Sequence, residues 1–227
     1  MIYFLNNTMG LFYYNYIKIN VIPKGISMKA QVPFLLTDTF IDAYVKPYYS
    51  EGHRFYFKYD YIEKLLDYCK NKGLRLTPSQ NLALQFLYTR WCPIFPDYLE
   101  RGAKLLKYIV QTASMEINHD VLTAQQIINE LENKDTLTDK SKLIYDLDRI
   151  RFAASQNDYE RYERLIRFEF SHIDDKTWVA GRINLLTNML NSGQIFVTPQ
   201  FQNEFENSAR QNITQQIDKL KESLSDV

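Results

Sequence analysis

Cysteine is scarce in this chain: Cys69 and Cys92 are the only two among 227 residues, both in apolar surroundings, so no disulfide framework is indicated. Histidine is almost as rare, and His53 and His119 have no companions at ligand spacing. The nearest approach to a metal set, His172 with Asp174 and Asp175, straddles a helix terminus and suits a cap better than a site. There is no glycine-rich phosphate loop, no G-x-S-x-G and no C-x-x-C. Asp146 and Asp148 are two apart on a predicted helix and face different ways. We expect no metal and no cofactor, and an enzyme with familiar nucleotide or metal machinery is disfavoured.

An excess of charge is also lacking. With 27 Lys+Arg against 27 Asp+Glu, the neutral total argues against a general nucleic-acid coat protein. No apolar run approaches the roughly 18 residues of a membrane-spanning helix. The aromatic opening, residues 1–26, is broken by Asn6, Asn7, Asn15, Lys18 and Asn20 and has neither a basic leader nor a cleavage site. The expectation is a cytoplasmic protein with no membrane association.

What the chain does contain is helical punctuation on an apolar fraction of 45%. Thr77-Pro78-Ser79-Gln80 reads as a capping box with proline at the first helical position. Beyond it Asn81, Gln85 and Thr89 form a narrow polar strip, which implies burial on most sides. Pro93 and Pro96 end that helix, and Asp97 with Glu100 reads as the capping box of a second, with an apolar stripe through Gly102, Leu106, Ile109 and Ala113. The pair predicts a central helical hairpin in a mainly α, multi-helix globular domain. Other starts fall at Thr37, at Asp60 with Glu63, at Thr123 with Gln126, near Asp139 and Tyr159, at Asp175 and at Thr198-Pro199. Gly73 and Gly193 suit C-terminal turns. A helix from about Asp139 to Ser155 breaks at Ser155-Gln156-Asn157-Asp158. At most a short strand is expected near the N-terminus, from Tyr13 to Val21 or from His53 to Tyr59. The predicted organisation is an arm or start-site appendage over 1–27, a helical domain over 28–198 and an amphipathic C-terminal helix over 199–227.

The halves differ in charge. Residues 1–113 carry 14 Lys+Arg against 8 Asp+Glu, a balance of +6, and residues 114–227 carry 13 against 19, a balance of −6. This asymmetry is read first as solvated faces. Its functional alternatives are self-association or a charged partner on the N-terminal half.

Two short stretches resemble known families. Arg167-Phe168-Glu169-Phe170-Ser171-His172 resembles the R-x4–6-H signature of the HEPN ribonucleases, which implies an all-helical dimer in which Arg167 stabilises charge on phosphate and His172 moves a proton. The structural alternative pairs Glu160 with Arg164 and Glu163 with Arg167 at i,i+4 on the helix surface. Lys72-Gly73-Leu74-Arg75-Leu76-Thr77-Pro78 resembles the opening of the winged-helix domain in the ferric-uptake-regulator family, which implies DNA reading by the basic half. The final helix offers a third candidate: Ile213, Ile217, Leu220 and Leu224 follow the 4-3-4 spacing of a seam for a partner helix or a second copy, or pack on their own domain. The expectation is a non-catalytic interaction or adaptor protein with a protein partner or homo-oligomer. The alternatives are a metal-independent ribonuclease and a DNA-binding regulator.

Overall fold

A computed structural model describes residues 35–113 and 115–225, the last two by backbone alone. Among the described residues the α-helices are α1 (Asp38–Tyr44), α2 (Tyr59–Asn71), α3 (Pro78–Phe86), α4 (Tyr98–Thr112), α5 (His119–Glu130), α6 (Asp139–Arg149), α7 (Gln156–Glu169), α8 (Asp175–Asn191) and α9 (Pro199–Ser225). Short 3-10 turns cover Lys46–Tyr49, Lys134–Thr136 and Ile150–Ala153. This is the mainly α, multi-helix domain expected. None of these helices is long and apolar enough to cross a membrane. Residues 1–27, with the arm and strand expected there, lie outside the described residues.

The Thr77 capping box forms as read: the Thr77 hydroxyl accepts from Gln80 N–H and the Gln80 side chain accepts from Thr77 N–H. Leu82, Phe86 and Leu106 are fully buried and Ile109 nearly so. The hairpin arms α3 and α4 approach closely at Gly102, where a Cβ would sit 3.0 Å from the Phe86 carbonyl oxygen. α5 packs on both arms, so a third helix closes the hairpin. Gly73 and Gly193 both take positive φ, as a C-terminal turn requires.

Other punctuation differs from expectation. α2 starts at Tyr59 without a side-chain cap, leaving Asp60 in the first turn, where its charge still favours the helix dipole. Asp97 precedes α4 but makes no capping bond. α5 starts at His119 because Asn118 caps Val121 N–H, and Thr123 is turned into the core instead. α6 ends at Arg149 rather than Ser155: Arg151 folds back onto Asp148, while the Asn212 amide takes the Phe152 and Ala154 carbonyls at 2.9 Å each. The expected His53–Tyr59 strand is instead a turn at His53 and bends over 55–58 leading into α2 at Tyr59, and the isolated bridge between Cys92 and Phe95 is the sole β pairing among the described residues.

Candidate functional site

Three distant pieces of sequence converge around the Glu169 carboxylate at the end of α7. Its Oε1 accepts the consecutive backbone N–H groups of Phe55, Tyr56 and Phe57 at 2.8, 2.7 and 3.0 Å, and its Oε2 accepts Trp91 Nε1–H at 2.7 Å. Glu169 is buried, as an ionised side chain can be when its oxygens are satisfied. Arg54 holds the same loop from the other side. It is fully buried, donates to the carbonyls of Phe57, Tyr88, Thr89 and Trp91, and forks onto Glu51 Oε2. The Tyr88, Thr89 and Trp91 carbonyls just beyond α3 are the natural acceptors for a cation at a helix C-terminus.

Beneath lies a buried ionic and aromatic cluster. Asp148 Oδ1 accepts the hydroxyls of Tyr88 at 2.7 Å and Tyr61 at 3.2 Å and pairs with Arg151. Burial raises the Asp148 carboxyl, but the charges of Arg151 and Arg149 and the hydrogen bonds from Arg151 and Tyr88 outweigh it and hold it below the usual range. The Tyr61 and Tyr88 phenols are driven far up, chiefly by burial. The Arg151 guanidinium also lies over the Phe57, Phe152 and Tyr162 rings. This is a sealed assembly that rigidifies what lies above it.

At the surface, the Phe55 loop and α7 present an aromatic pair. Phe55 and Phe168 are 42% and 55% exposed, with ring centroids 5.7 Å apart and planes tilted by 42°. At about 100° per residue, Asn157, Arg161 and Arg164 fall within some 40° of Phe168 on α7, and all are exposed. Neither arginine makes an ion pair with any described residue. Phe55 also borders an open groove of about 520 Å³ whose ionic rim is mixed: Lys46, Arg54 and Lys58 against Glu51, Asp60 and Glu63.

The residues singled out from the sequence fall elsewhere. Arg167 does not pair with Glu163. It forks onto Asp175 Oδ1 at 2.6 and 3.1 Å and donates to the carbonyls of Phe170 and Ile173, closing the turn between α7 and α8. Glu163 instead takes buried Arg182 in a two-point bond at 2.7 and 3.0 Å, and Glu160 takes Lys219. His172 stacks on Phe170, and partial burial followed by the Arg167 charge lowers its pKa below the ordinary value. Asp174 caps α8 through Thr177 N–H. On α9, Ile213 is fully buried, Ile217 is 6% exposed and Leu220 is half-buried against the same core, while the Leu224 side chain lies outside the described residues. Among the described residues no three His, Cys, Asp or Glu gather as a metal site would require.

Sequence reasoning missed the Phe55–Phe168 pair and the Glu169 clamp. The first has no local signal, and the second joins residues more than a hundred apart. Compared with protein-family models, curated proteins and solved structures, the chain gives no match.

Proposed function

We propose that this is a non-catalytic cytoplasmic interaction protein that binds an anionic partner on the outward face of α7. The observation that carries the reading is the exposed stripe of Arg161, Arg164 and Phe168, abutted by Phe55 on a loop that Glu169 and Arg54 hold rigid. Exposed aromatic rings beside guanidinium groups that form no ion pair among the described residues suit recognition, because the rings lose little entropy on binding and the cations select the sign of the partner. Burial also shifts the charge balance. Asp146, Asp148, Glu163 and Glu169 are buried and bonded inside the fold, against Arg54 and Arg182 among the buried cations. Taking four carboxylates and three guanidinium groups, Arg151 of the Asp148 pair included, out of a neutral chain leaves the rest at +1.

Catalysis by Arg167 and His172 is the weaker reading. A phosphate approaching Arg167 would have to displace Asp175 and two carbonyls from the guanidinium.

The test is retention on an immobilised polyanion such as heparin at low salt. Wild type should be retained, and Arg161→Ala with Arg164→Ala should elute distinctly earlier. Co-elution of the two proteins would refute the reading. Single-stranded RNA incubated with wild type in chelator should stay intact; cleavage that disappears in His172→Ala would transfer the function to the ribonuclease.

A further inference from the structure

Charge alone would let any polyanion bind α7, but the two phenyl rings are placed among the cations rather than away from them. Seen along the helix axis, Arg161 and Arg164 lie to either side of Phe168, at about 20° and 40° by helical geometry, and Asn157 continues the row one turn earlier with an amide that can both donate and accept. Phe55 extends the aromatic surface sideways off the helix, and Lys58, exposed and without an ion pair among the described residues, follows it on the same loop. Of the acids near this face, Glu169 is buried, Glu160 bonds Lys219 one turn before Arg164, and Asp175, beyond the end of α7, bonds Arg167. Exposed Asp158 in the first turn bonds Ser155, and on the Phe55 side Glu51 bonds Arg54 while Asp60 lines the groove. The face therefore sets two adjoining rings at the C-terminal end of a row of two guanidinium groups on α7.

A partner that matches it must carry regular negative charge and flat apolar groups at the same time. An acidic peptide supplies the first and only sporadically the second. A duplex supplies charge but hides its bases in the stack. A single strand of nucleic acid supplies both, with phosphates for the guanidinium groups and unstacked bases for the rings. Resting on the reading above, we infer that the anionic partner of the α7 face is single-stranded nucleic acid, held by stacking on Phe168 and Phe55 and by phosphate pairing to Arg161 and Arg164. Rigidity favours this. The Phe55 loop is fixed by three backbone hydrogen bonds to Glu169, so its ring is pre-ordered against Phe168 before any strand arrives.

The experiment is fluorescence anisotropy with the full chain and labelled 20-nucleotide oligouridylate and oligodeoxythymidylate, set against a duplex of equal length and against polyglutamate. Either single strand should bind at least several-fold more tightly than the duplex or polyglutamate, and the ratio of the two tells whether the 2′-hydroxyl is read. Phe168→Ala should weaken single-strand binding roughly tenfold, within the range for removal of one stack, while leaving the salt slope unchanged, and Phe168→Tyr should restore it. Arg161→Ala with Arg164→Ala should reduce the slope of log K against log salt by about 1.4, near 0.7 for each phosphate no longer neutralised. The three substituted side chains are all exposed, so unchanged melting curves verify the fold of every variant. Duplex or polyglutamate binding equal to the single strand, or affinity indifferent to Phe168→Ala, overturns the inference. If the heparin result stands while these fail, only the identity of the partner is wrong; if both fail, the α7 face is not a binding surface.

Discussion

Removing the Glu169 carboxylate should be among the most damaging single changes to this fold. One oxygen satisfies three consecutive backbone donors and the other satisfies an indole N–H. Hydrogen bonds to a charged group contribute about 1.5–3 kcal/mol each, and a buried donor left unpaired costs about 1–3 kcal/mol. In Glu169→Ala, Phe55 and Tyr56 N–H are only partly buried and can recover water, whereas Phe57 N–H is buried and cannot. The expected loss is therefore about 3–5 kcal/mol rather than the sum of four bonds. Glu169→Gln keeps a carbonyl oxygen for the three backbone donors but turns an amide N–H toward Trp91 Nε1, and should cost about 1.5–3 kcal/mol. Trp91→Phe removes that opposing donor, so the glutamine should cost less in that background, with a coupling of about 1 kcal/mol or more. Urea denaturation followed by circular dichroism gives each value from the midpoint at constant m. A Glu169→Ala loss below about 1 kcal/mol, or a glutamine penalty equal in both backgrounds, would refute the reasoning.

The helix glycines make opposite predictions. Gly102→Ala gains helix propensity of about 1 kcal/mol but drives its Cβ against the rigid Phe86 carbonyl at 3.0 Å, so a net destabilisation is expected in the same urea assay. Gly181→Ala, mid-α8 with nothing within 4 Å of the new Cβ, should stabilise by about 0.5–1 kcal/mol. His172 should titrate below 6.5 by nuclear magnetic resonance, because burial and then the Arg167 charge disfavour its cation, and Arg167→Ala should move the midpoint upward. Since that pKa is depressed in the fold, His172 contributes stability above its unfolded pKa and loses it as pH falls through the folded value.

Local chemistry was legible wherever a helix end is made by its own neighbours. Thr77 with Gln80, Gly73 and Gly193 all act where their spacing says they should, and Pro199 opens α9, although the Thr198 hydroxyl goes to distant Asp146. The failures share one cause, a partner far along the chain. Thr123 looked like a start but faces the core, and the 139–155 helix looked continuous until Asp148 drew Arg151 back and Asn212 took the carbonyls that a further turn would have used. Periodicity can assign a residue to a face; it cannot say which helix covers that face. For Ile213 and Ile217 the covering is their own domain: both belong to the buried core that α9 shares with α8 and the 150–153 turn.

The six residues from Arg167 to His172 show how one motif divides among separate tasks. Each step along a helix turns the side chain by about 100°, so neighbours in sequence cannot share a surface. Arg167 points toward α8 and closes the turn on Asp175, Glu169 points inward and fastens the 55–57 backbone, and Phe168 between them points out to meet Phe55. An arginine and a histidine with four residues between them are suggestive as a string of letters. In three dimensions the arginine is bonded to a carboxylate and two carbonyls, the histidine is stacked on Phe170, and the residue left free to meet a partner is the phenylalanine between arginine and glutamate. The inward glutamate gives that phenylalanine its neighbour, because the same bonds that bury Glu169 place Phe55 beside Phe168. The proposed binding at this face would thus be coupled to the stability of the fold through one carboxylate, and Glu169→Gln should weaken polyanion capture only to the extent that it loosens the Phe55 loop.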